Sequence, residues 1–154
     1  MLRTVLDHAV EWVCLGLMTA LTVDLMLGVF SRYVLVQTFT WYDEVARICF
    51  VWVVFLGAAV GVKRHAHFSL HLVVDRFPRP ARRAAAVLGV LVVMGFAAVL
   101  IWQGWTFVEL GRFQQTPVMG VPKAWVYLAM PVGGALMILY SLRPLGRALR
   151  GAGG

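Results

Sequence analysis

The chain has 154 residues, 61% of them hydrophobic and only 14% charged, and its mean hydropathy is +0.82. A soluble domain lies nearer to about 45–50% apolar and roughly 25% charged, and at this length it could not hide so much apolar surface from water; a soluble fold is excluded and lipid becomes the solvent for the apolar faces. The net charge is +7, but the basic residues fall between apolar runs and not on a face of their own, which points to control of membrane topology and away from nucleic acid.

A membrane-crossing helix needs about 20 mostly apolar residues. Four segments qualify, at about 10–30, 45–62, 84–108 and 124–142, which predicts one all-α integral membrane domain over residues 1–154. The first follows Arg3 and resembles a signal peptide at its start. Its apolar run continues to Phe30 with no small-residue cleavage site, so it is expected to be a retained span. It contains Asp24, an acid costing about 2.5–3.5 kcal/mol at mid-membrane. Two readings stand: a proton or cation site, or a polar contact to a neighbouring helix or subunit. Glu11 lies nearer the interface and is expected to snorkel.

The first connection ends in Thr40-Trp41-Tyr42-Asp43-Glu44. Thr40 is a candidate N-cap, and Asp43 and Glu44 fall in the first turn, where the helix dipole favours acids. Glu44 and Arg47 are spaced to pair on one helix face, and Arg32 at the end of the first helix can join them. This group is either a local salt bridge or an inter-subunit contact at fixed depth; with no nucleophile or second acid placed for it, it is not a catalytic pair. In the second span Gly57 and Gly61 form a GxxxG, and Gly16/Ala20, Ala85/Gly89 and Ala129/Gly133 share the spacing, which lets helices approach closely within the chain or against a partner. Cys14 and Cys49 lie towards opposite membrane faces, too far apart for a disulfide.

The second connection holds His65, His67 and His71. Three histidines near a carboxylate can hold zinc, and two on separate helices can hold haem. These three share one short segment beside strong positive charge, so interfacial polar residues are the default and no metal or cofactor is expected. The stretch from His67 to Asp75 and Pro78 is too apolar for a solvated loop and should lie at the cytoplasmic interface, partly as a short helix. The third connection, with Gly111, Thr116-Pro117, Gly120 and Pro122, reads as irregular chain, and Pro131 should kink the last helix.

Orientation follows from the 14 lysines and arginines. Arg3, the second connection (Lys63, Arg64, Arg76, Arg79, Arg82, Arg83) and the tail (Arg143, Arg147, Arg150) carry ten of them. The other side carries Arg32, Arg47, Arg112 and Lys123. The positive-inside bias places both termini in the cytoplasm. Tyr33, Trp41, Tyr42 and Trp125 then sit as anchors near the outer face, and Trp12 and Tyr140 near the inner one. No phosphate-binding loop, nucleophile elbow, HExxH or CxxC occurs, and the halves show no repeat. Nothing supports an enzyme.

The order of these features resembles the small permease subunit of tripartite ATP-independent periplasmic (TRAP) transporters. The most specific part runs from Ser31-Arg32-Tyr33 through Trp41-Tyr42-Asp43-Glu44-Val45-Ala46-Arg47 and Phe55-Leu56-Gly57-Ala58-Ala59 to His67 and Asp75-Arg76-Phe77-Pro78; Gly120-Val121-Pro122 and Pro131 fit the final hairpin. His71 departs from the pattern, since the family commonly has an aspartate four residues after the loop histidine. The resemblance implies a four-helix accessory subunit that braces a large permease subunit, which itself carries the substrate and sodium sites, while a periplasmic binding protein delivers an organic acid anion. On this reading Arg32, Trp41, Glu44 and Arg47 fix depth and contact on one side, Gly57 and Gly61 pack helices, and His67 to Asp75 lies along the inner interface among lipids. Two rivals are a self-contained proton-coupled multidrug-type exporter using Asp24, and a haem-bearing membrane anchor of a redox complex.

Overall fold

The computed structural model describes residues 2–36, 39–74 and 79–150, with side chains described at 8–36, 39–63 and 87–142. Five helices follow one another: α1 (Leu2–Tyr33), α2 (Trp41–Val74), α3 (Arg79–Gly111), α4 (Ala124–Tyr127) and α5 (Ala129–Arg150). Four stretches are long and apolar enough to cross a membrane: His8–Tyr33, Trp41–Lys63, Val87–Gly111 and Ala124–Leu142, the last joining α4 to α5. The all-α, four-span architecture is therefore the one expected.

The helices outrun the apolar windows. With 32, 34 and 33 residues, α1, α2 and α3 are roughly 48–51 Å long at ~1.5 Å per residue, against a hydrocarbon core of about 30 Å. They must tilt, project beyond it, or both. The backbone from Lys63 to Val74 continues α2 without a break, where a separate short helix was expected. Asp75 to Pro78 lie outside the described residues, as do the side chains of His65, His67 and His71.

The lateral order is the main departure from a compact bundle. Among the described residues α1 packs on α2 alone, α5 packs on both α2 and α3, and α2 and α3 barely meet. The helices thus form a row, α1–α2–α5–α3, with α5 interposed between its predecessors. Two adjacent glycines make this possible. A Cβ on Gly133 would stand 2.8 Å from Phe55 Cβ and 3.0 Å from the Phe55 carbonyl oxygen on α2. A Cβ on Gly134 would stand 2.9 Å from the Ala97 carbonyl oxygen and 2.9 Å from Ile101 on α3. Both lie inside ordinary contact distance, so hydrogen is the only substituent that fits without movement.

A seam of small residues on α3 receives the last span. Ala97, Gly104 and Gly111 recur one heptad apart. Ala97 is fully buried. A Cβ on Gly104 would come within 2.9 Å of Met130 and Pro131, and one on Gly111 within 2.8 Å of the Ala124 backbone. Small residues at the crossing let backbones approach where lipid supplies no hydrophobic drive between helices. By contrast, a Cβ at Gly57, Gly61, Gly16 or Gly89 meets nothing within 4 Å. Among the described residues the GxxxG on α2 therefore packs against no other helix. Its face is open to lipid or to a partner.

The last span is interrupted at Leu128, between α4 and α5. Pro131 has no N–H to give the Tyr127 carbonyl, which breaks the helical ladder at this point; it resumes with the Val132 N–H donating to the Leu128 carbonyl at 3.2 Å.

Ala59, Ala97, Met137 and Tyr140 form the buried core near the end that carries both termini. Lys63 Nζ lies 5.9 Å from the centre of the Tyr140 ring and 3.0 Å from Glu11 Oε1. Tyr140 is thus a core residue, only 5% exposed, and not the interface anchor its position suggested. Glu11 is a partner of Lys63 and not a free snorkelling acid. This ion pair ties α1 to α2, the helix it packs on among the described residues.

Candidate functional site: two cavities at the connection end

The opposite end carries the 34–40 and 112–123 connections. Two cavities open there, one on each side of the first turn of α2. Asp43 borders both.

The 112–123 connection is more ordered than its glycines and prolines suggested. The Lys123 N–H donates to the Gln114 carbonyl at 2.9 Å, and the Thr116 N–H donates to the Val121 carbonyl at 2.9 Å. Gln115 and Pro122 form an antiparallel bridge, so the segment is a short hairpin. At its tip the Gly120 N–H donates to the Thr116 carbonyl at 3.1 Å, and Gly120 turns the chain with φ +65, a conformation in which a side chain would be strained.

This tip presents two backbone donors in succession, and Glu44 takes both. The Val118 N–H donates to Glu44 Oε1 at 2.8 Å and the Met119 N–H to Oε2 at 3.0 Å. The Thr116 hydroxyl also donates to the carboxylate. Successive N–H groups in a turn form an anion-binding concavity, and here the anion is a side chain from the first turn of α2. The expected Glu44–Arg47 pair is not a contact ion pair. Arg47 acts on Glu44 through the field only, and both oxygens are committed to the hairpin. A cavity of about 400 Å³ lies behind this latch, bordered by Arg47, Val51, Lys123 and Tyr127.

Arg32 does not join this group. It lines the second cavity, about 260 Å³, between α1 and α2, together with Asp24, Tyr33, Phe39, Tyr42 and Asp43. Asp24 is only 6% exposed, and its Oδ2 is buried with no hydrogen-bond partner. Trp41 stacks obliquely on Tyr42, with ring centroids 3.9 Å apart, and Tyr42 Cβ lies 3.6 Å from where Gly28 would carry a Cβ. Tyr42 belongs to the first turn of α2, so Gly28 is level with that turn and Asp24 one turn beyond it. Asp24 therefore lies nearer the connection end than its place in the apolar run implied. Cys14 and Cys49 are both free.

Sequence reasoning found Asp24, Arg32, Trp41, Glu44 and Arg47, but it divided them wrongly. It missed the Val118 and Met119 amides, which no residue type announces. It also missed the seam of Ala97, Gly104 and Gly111, which a search at heptad spacing would have found. His67 and Asp75 lie outside the described side chains.

Four apolar spans in a row, with glycine seams between them, define a multi-pass α-helical membrane protein. The model of the DctQ component of tripartite ATP-independent periplasmic transporters matches residues 21–151, and the chain belongs to this family. It is 26% identical over 146 residues to the sialic acid TRAP transporter small permease protein SiaQ of Vibrio cholerae, covering 94% of this chain and 84% of that one. It is 29% identical over 121 residues to the C4-dicarboxylate TRAP transporter small permease protein DctQ of Pseudomonas aeruginosa, covering 75% and 58%. The isethionate TRAP transporter permease protein DctMQ of Oleidesulfovibrio alaskensis is a much longer chain; 71% of this chain matches 18% of it at 26% identity. The protein is a small TRAP transporter permease subunit and a multi-pass protein of the inner membrane.

Proposed function

We propose that this subunit braces a large permease subunit during sodium-coupled uptake of an organic acid anion that a periplasmic binding protein delivers, with no catalytic activity of its own. The observation that carries the reading is the row of helices. A row exposes two broad apolar faces, and α2 leaves Gly57 and Gly61 open on one of them. Small residues on an unfilled face suit close approach by another helix. Sialic acid, C4-dicarboxylates and isethionate, named for the relatives, are all organic anions at neutral pH, which supports that substrate class here. In this reading Arg32, Trp41, Glu44 and Arg47 hold the connection end at fixed depth on the periplasmic side, and the stretch from His67 to Asp75 lies along the cytoplasmic interface.

The test is purification of the full chain co-expressed with the neighbouring large permease. Stable co-purification is expected, along with loss of uptake when the small subunit is deleted. Failure to co-purify together with intact uptake would overturn the reading. The orientation has its own check. Reporter fusions at Met1 and after Arg150 should both report cytoplasm, and a fusion in the 112–123 hairpin should report periplasm. Split termini would remove the topology on which the periplasmic placement depends.

A further inference from the structure

We infer that the cavity between α1 and α2 holds the headgroup of a phosphatidylethanolamine molecule, its ammonium on Asp24 and its phosphate on Arg32. The inference rests on the chain lying in a membrane and not on the bracing role. It begins from Asp24. A buried carboxylate oxygen without a donor is costly, and Asp24, which carries one, lines a cavity of about 260 Å³, several times the space a single water or bare cation needs.

The walls carry both signs of charge. Asp24 and Asp43 supply the negative end and are near enough for Asp43 to act electrostatically on Asp24. Arg32 lines the same cavity and is eight positions further along α1, roughly 12 Å in Cα rise at ~1.5 Å per residue. Both side chains lean towards the N-terminus of α1, and the longer arginine side chain can span more of that separation than the aspartate. Phe39, Tyr33 and Tyr42 complete the wall with aromatic rings, which attract cations over their faces. An acid at depth, a guanidinium nearer the chain connection and aromatic sides suit a zwitterionic headgroup that folds back into the cavity, its cation pointing inwards from the phosphate.

The depth fits as well. Gly28 is level with Tyr42 in the first turn of α2, where Asp43 and Glu44 begin the helix, and Asp24 is one turn further in. That is headgroup-to-glycerol depth if the first turn of α2 marks the interface. Leu25 and Val29 on the same wall offer an apolar surface to the start of the acyl chains. Chemistry then selects among lipids. The ethanolamine ammonium has three N–H donors to offer the Asp24 carboxylate. The trimethylammonium of phosphatidylcholine has none, and phosphatidylglycerol brings no cation.

The experiment releases the full chain from nanodiscs of mixed phosphatidylethanolamine, phosphatidylcholine and phosphatidylglycerol and reads retained lipid by native mass spectrometry. Retention of phosphatidylethanolamine over phosphatidylcholine by about tenfold, equivalent to ~1.4 kcal/mol, is expected. Asp24→Asn should bring the ratio close to unity. Arg32→Gln should lower retention of both lipids and leave their ratio unchanged, which keeps the test open if Asp24→Asn does not fold. Equal retention of the two zwitterionic lipids overturns the proposal. So does an ethanolamine preference that survives Asp24→Asn, a preference for phosphatidylglycerol, or the absence of any retained lipid.

Discussion

Replacing Gly133 or Gly134 by leucine should remove most of the folded protein, whereas leucine at Gly57 or Gly61 should leave the isolated chain as stable as the wild type. The first pair stands where α5 meets α2 on one side and α3 on the other, and a Cβ alone would enter Phe55 or the Ala97 carbonyl at 2.8–2.9 Å. Overpacking by even a methylene typically costs about 1–3 kcal/mol, and here the obstructing atoms include backbone, which cannot rotate aside. Alanine at either site should lower the unfolding temperature in detergent, and leucine should abolish the monodisperse gel-filtration peak. Gly57 and Gly61 face open space, so leucine there changes only what approaches from outside. On the bracing proposal those variants fold normally and fail to co-purify with the large permease. Equal damage at all four positions would mean that the row of helices is wrong.

Glu44→Ala should free the 112–123 hairpin from α2. Both carboxylate oxygens are engaged by backbone N–H groups 2.8 and 3.0 Å away, and hydrogen bonds to a charged acceptor are the stronger kind. Without the carboxylate, the Val118 and Met119 amides turn to water and the tip loses its tie to the helix. Hydrogen exchange at these two amides should accelerate several-fold, with the α5 core unchanged. Glu44→Gln retains one acceptor oxygen and should fall between wild type and alanine. Arg47→Ala should have little effect on exchange, because Arg47 touches the latch only through its field. An exchange rate unmoved by Glu44→Ala would show that the hairpin holds its own shape.

The spans were legible because each is an apolar run bounded by charge or by a breaker, and length alone then decides whether it crosses. The lateral order was not legible. In lipid every helix face is apolar, so hydropathy does not say which face meets protein. What decided it was steric: Gly133 beside Gly134, and Ala97, Gly104 and Gly111 in register. The i,i+4 pattern includes Ala129/Gly133 but equally marks Gly57 and Gly61, where an added Cβ would meet nothing within 4 Å, so spacing alone does not say which glycines pack. At the connection end, Glu44 was picked out for its charge and given the nearest opposite charge as partner. Its actual partners are amides more than 70 residues away, and a backbone donor has no letter in the sequence. Tyr140 differs for a related reason: a tyrosine near a helix end suits an interface belt or a core equally well, and its burial against Ala59, Ala97 and Met137 tells them apart.

The interposed position of α5 sets an order of construction. The ribosome delivers α1, α2 and α3 before the helix that belongs between the last two. Until residues 124–142 enter the membrane, α1 and α2 form a hairpin held in part by Glu11 and Lys63, while α3 stands with its glycine seam facing lipid and scarcely touches α2. The chain closes by a wedge arriving last and not by successive addition to one edge. A nascent protein stalled before Ala124 lacks the helix that joins α2 to α3, and the small-residue seam of α3 is left without the backbone that covers it.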